Sequence, residues 1–161
     1  MDKIDLQSVL EQALKDPSLF STLDIENLLQ SVENVKNDYL ENKTMTQINT
    51  SIYAVLCQLY LDKQEIQTIC EKLLGYRYVE NVSEIHKGKH IRWIRLYNST
   101  NVHKLTAGGI VTNVKFLDNG THIVSMGTGN RFMQYKFDDC LTFQKLTMEE
   151  QLILMAYEYA H

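Results

Sequence analysis

His86 and His90 stand four residues apart, a spacing that on a helix would turn two imidazoles toward one metal ion. Gly88 lies between them and a β-branched run follows, so the spacing predicts a turn and a strand instead. No third ligand is marked, and no metal is expected. Gly127-Thr128-Gly129-Asn130-Arg131 has the composition of a phosphate-cradling loop, yet it falls between two strand patterns, with no following helix to offer N–H groups. It reads as a hairpin turn. Asp138-Asp139 and Glu149-Glu150 are paired carboxylates of the kind that share acid–base work. The first pair fits a turn and the second a helix N-terminus, where the dipole favours Glu. Cys57, Cys70 and Cys140 show no CxxC spacing and no histidine beside them; Cys57 and Cys70 fall among apolar helical neighbours and are expected to be buried free thiols. There is no nucleophile elbow. The expectation is a chain that is not an enzyme and holds no cofactor.

The basic residues point elsewhere. Residues 1–75 carry 6 Lys/Arg against 12 Asp/Glu, whereas residues 76–146 carry 10 against 5 and four of the five histidines. Lys87, Lys89, Arg92 and Arg95 surround Trp93 in HKGKHIRWIR, and Lys104, Lys115, Arg131 and Lys136 join them on the outside of the same region. Cations interleaved with an aromatic ring suit a groove for nucleic acid, single-stranded rather than duplex, with bases on rings and phosphates on Lys/Arg. The competing reading puts Trp93 in the core and makes the charges an ordinary polar face, or one that neutralises the acidic helices.

Two other binding modes compete. Tyr97, Tyr135 and Phe137 are rings that a small barrel would use to hold a peptide. Asp62–Gly75 with a following hairpin has the layout of a winged helix-turn-helix, but its Lys63 and Lys72 are offset by Glu65 and Glu71, a poor balance for DNA.

The elements that must position these residues follow from periodicity. Apolar residues recur at helical spacing near residues 4–15, ended by Pro17; from Asp24 to about Leu40; from Thr46 to about Leu61; and, after an Asp62…Glu65 capping box, through Ile66, Ile69, Cys70, Leu73 and Leu74 to Gly75. Residues 76–85 read as a connector. Five strand patterns follow, centred on Ile91–Leu96, Ile110–Phe116, Ile123–Met126, Phe132–Phe137 and Leu141–Leu146. Ile110, Thr112, Val114 and Phe116 are expected on one face, with Asn113 and Lys115 outward; Met133, Tyr135 and Phe137 face in, leaving Arg131, Gln134 and Lys136 toward solvent. Thr147…Glu150 is a second capping box and opens a last helix with Leu152, Ile153, Met155, Ala156 and Tyr159 inward.

The prediction is an α+β protein: a helical bundle over 1–75, a five-stranded SH3-like small β-barrel over 76–146, and a C-terminal helix over 147–161 packing on the rest. The start Met-Asp-Lys-Ile-Asp shows no secretory pattern and no apolar run is long enough to span a bilayer, so an intracellular protein without a membrane partner is expected. The strand order, with its Gly108-Gly109, Asn119-Gly120 and Asp138-Asp139-Cys140 breaks, resembles an SH3- or Tudor-like barrel. GGIVTNVKFLDNG…NRFMQYKFDDCLTFQKLTMEEQ is similar to uncharacterised proteins of nucleocytoplasmic large DNA viruses, over roughly Lys87 to Gln151. That resemblance implies a small viral protein with a packaging, virion or replication role, in host cytoplasm, nucleus or virion. The expected function is a binding or assembly module whose basic barrel contacts a protein partner or nucleic acid. The alternative is a self-associating homo-oligomer in which acidic helices meet the basic barrel, with no nucleic acid bound.

Overall fold

The computed structural model describes residues 40, 43–97 and 103–160. The helices expected near residues 4–15 and from Asp24 lie outside the described residues. Those described contain helices α1 (Met45–Leu56), α2 (Lys63–Lys72) and α3 (Met148–Ala160), and strands β1 (Tyr76–Val79), β2 (His90–Arg95), β3 (Gly109–Leu117), β4 (Gly120–Met126), β5 (Phe132–Lys136) and β6 (Cys140–Lys145). No described helix is long and apolar enough to cross a membrane. Contacts divide the chain into two compact units, one of them Asn49–Lys145; the other includes, among the described residues, 43–48 and 146–160.

In the larger unit all six strands form one antiparallel sheet in the order β1-β6-β2-β3-β4-β5. The architecture is therefore α+β, but the sheet is open and six-stranded, not a closed five-stranded barrel. The stretch expected to be a connector supplies the extra strand: Tyr76–Val79 pairs with Thr142–Lys145 at one edge. Although open, the sheet is rolled. Trp93 on β2 stacks on Tyr135 of β5 at 4.4 Å between centroids, whereas three strand spacings in a flat sheet would part them by about 14 Å. The Tyr135 hydroxyl also lies 2.9 Å from Thr142 Oγ1 on β6. Side chains of the edge strand β5 thus reach β2 and β6 across the concave face, with no hydrogen-bonded ladder between those strands.

The roll sorts side chains by strand alternation. Its concave face is a filled core of Val79, Ile85, Ile91, Trp93, Val111, Ile123, Tyr135 and Cys140. On the convex face, Ile94, Leu141 and Phe143 are covered by Ile52 and Leu56 of α1, Leu59, and Ile66, Ile69 and Leu73 along α2. The Asp62–Glu65 capping box forms in full, and Gly75 takes φ +84 where the chain turns from α2 into β1. Leu74, expected on the apolar side of its helix, is exposed, as is Tyr60. Cys57 is exposed and Cys70 half-buried, because both sit at the rim of the helical face rather than at its centre; only Cys140 is buried.

In the smaller unit, the Thr147–Glu150 capping box is present in both directions, with Thr147 N donating to Glu150 Oε1 and Glu150 N to Thr147 Oγ1. Ile153, Leu154 and Ala156 of α3 are buried, and Tyr159 is exposed.

Candidate nucleic-acid interface

The convex face over β3, β4 and β5 is not covered by α1 or α2, and its residues follow from register. Lys115 pairs with His122, and His122 with Lys136, so two lysines and a histidine stand abreast on adjacent strands. Two residues along, Asn113, Val124 and Gln134 form a neutral row. At the far end Ile110, Met126 and Phe132 make an apolar row, with Phe132 65% and Ile110 38% exposed.

A bulge builds the Lys-His-Lys row. The β3–β4 register slips between Val111 and Asn113, leaving Thr112 as the extra residue. Val111 therefore faces the core with Ser125, while Val114 and Phe116 turn to the same concave side and Lys115 turns outward. The expectation that Ile110, Thr112, Val114 and Phe116 share one face fails for this reason: Ile110 and Phe116 lie on opposite faces. Around the row, the Lys136 stem lies over Gly120, where an added Cβ would sit 2.7 Å from Lys136 Cε. His122 Nε2 is 3.0 Å from Asn119 Oδ1, which ties the ring to the turn.

The other expected site residues are dispersed. Trp93 is 2% exposed and belongs to the core, so no base can stack on it. Arg92 shares the convex face but is committed to structure: Nε donates to Thr106 O at 2.8 Å and Nη1 to Lys72 O at 3.4 Å, at the carbonyl end of α2. Arg95 ends β2 on the concave side, exposed; Lys87 and the half-buried Lys89 flank the turn at Gly88. Arg131 lies in the β4–β5 hairpin loop, where Gly129 and Asn130 take positive φ, as a turn requires. Lys104 lines a cleft of about 470 Å³ with Asp62, Glu65, Lys72 and His103, where opposite charges offset one another. Tyr135, proposed as a peptide-binding ring, is buried.

Sequence reasoning weighed His90 only as a metal ligand and missed His122 and Lys145; all three lie on the convex face. The signal that finds them is simple: none of the six strands contains Asp or Glu, so every ionisable strand residue other than Tyr and Cys is a potential cation. His90 Nδ1 is 2.9 Å from the Tyr76 hydroxyl. Burial, then Arg92 and Lys145, hold its pKa below the ordinary value of 6.5. A histidine with a depressed folded pKa contributes stability that is present above about pH 6.5 and lost as pH falls through the folded value. The urea midpoint should therefore fall between pH 7.5 and 5, and His90→Asn should flatten that slope; an unchanged slope would exclude His90 as its source.

Comparison of the chain with family models, curated proteins and solved structures finds no match. Fold and surface thus define the class alone: an α+β protein in which α1 and α2 cover one part of a rolled antiparallel sheet whose six strands carry no carboxylate.

Proposed function

We propose that this chain is a non-enzymatic binding module that holds nucleic acid against the convex face of its sheet. The observation that carries the reading is the Lys115–His122–Lys136 row on strands that contain no carboxylate. Ordinary solvated sheet faces mix both signs, and a face of one sign concentrates polyanions. In the setting that the viral resemblance implies, such a face would serve packaging or replication.

The test is a titration of an oligonucleotide at several salt concentrations. Phosphate contacts give log K falling linearly with log salt, with a slope of about 0.7–0.9 per contact. Lys115→Ala and Lys136→Ala should each reduce that slope by about 0.7–0.9, while Lys63→Ala on α2 should leave it unchanged. Binding that ignores both convex-face substitutions would sink the reading. The alternative, self-association of basic sheet with acidic helices, predicts a mass by light scattering that rises with protein concentration and falls with salt.

A further inference from the structure

We infer that the convex face takes its nucleic acid as a single strand, with Phe132 as the ring on which a base stacks; this rests on the nucleic-acid reading above. Phe132, Gln134 and Lys136 alternate along one side of β5, so an aromatic ring, an amide and a cation lie in line over about 13 Å at 3.3 Å per residue. Phe132 is 65% exposed, and Met126 beside it extends the apolar floor. β5 is an edge strand, so nothing in the sheet stands between this ring and an approaching base. A phosphate held by Lys136 leaves the chain free to lay a base toward Phe132, with the Gln134 amide facing base edges between them.

A duplex cannot use this arrangement. Its bases are already stacked, and its major groove, about 12 Å wide, admits a helix or a two-stranded ribbon. The β3–β5 face is three strands broad, about 10 Å between outer strand axes before side chains are added. A duplex would therefore meet only the cations and gain nothing from Phe132. Trp93, the ring that one of the two sequence readings offered for stacking, is in the core as the competing reading had it, and Phe132 is the exposed ring on this face.

The experiment compares the full chain and its Phe132→Ala and Phe132→Trp variants by fluorescence anisotropy. The probes are a thymidine oligonucleotide, its duplex of equal length, an abasic strand with the same phosphates, and polyglutamate of matched charge. Wild type should prefer the thymidine strand to the abasic strand and the duplex by about 5- to 100-fold, the usual worth of a stacked base. Phe132→Ala should lose that preference and keep abasic binding, and Phe132→Trp should restore it. Equal affinity for thymidine and abasic strands, or a silent Phe132→Ala, overturns the stacking inference and leaves the electrostatic reading standing. Polyglutamate binding as tightly as the thymidine strand overturns both, as does no binding to any probe at low salt.

Discussion

Gly108→Ala is expected to lower stability by about 2–5 kcal/mol, a change that takes up much of the margin of a small protein. Gly108 sits at φ +75, where a Cβ costs about 1–2 kcal/mol by itself. The larger difficulty is space, because that Cβ would fall inside the Ile91 carbonyl group of β2. The neighbouring Gly109 is hemmed in from the other side, where a Cβ would meet Met126 O at 2.6 Å. The Gly-Gly pair is thus the place where β3 is threaded between β2 and β4, and neither backbone can retreat without breaking a ladder. Gly129→Ala is the internal control: φ is +74 there, but the space is open, so only the conformational part should be lost. Urea midpoints with unchanged m-values would check both; equal losses at the two positions would refute the threading explanation.

Glu84→Ala should cost about 3–5 kcal/mol, the usual result of leaving half of a buried ion pair. Arg77 is 3% exposed and donates from Nη1 to Glu84 Oε1 at 3.0 Å and from Nη2 to the Glu84 carbonyl at 3.3 Å. Gln144 on β6 joins the group, donating to the same Glu84 carbonyl and accepting from His86 N. Removing the carboxylate leaves the guanidinium without that counter-charge inside the protein. Arg77→Met combined with Glu84→Leu should recover most of the loss, since it removes both desolvated charges together. A double variant no better than Glu84→Ala would mean that the pair acts through geometry rather than charge.

These two sites show what was legible in the sequence and what was not. Local chemistry was: both capping boxes, the Asp118-Asn119 turn, the hairpin loop at Gly127–Asn130 and the inward set Met133, Tyr135 and Phe137 follow from neighbours within a few residues. Non-local pairing was not. Tyr-Arg-Tyr-Val does not alternate apolar and polar in the usual way, because one of its two buried positions is an arginine whose partner lies seven residues on. The strand is invisible until Glu84 is known to reach it. The bulge at Thr112 has no marker of its own, yet it decides which face Lys115 serves. Trp93 carried the strongest aromatic signal in the basic region, and its burial follows from the roll of the sheet, which no single strand encodes.

The place of β6 between β1 and β2 also governs how the chain reaches this fold. The β3–β4–β5 meander is joined by short turns and can assemble as soon as those residues exist. β1 and one side of β2 cannot pair until residues 140–145 arrive. Loop closure across that separation is entropically costly and slow, so the first half of the sheet waits with unpaired backbone while the meander is already formed. Refolding should therefore be limited by one event, the insertion of the last strand between two that precede it. Until then, both waiting strands are open templates for pairing with another chain.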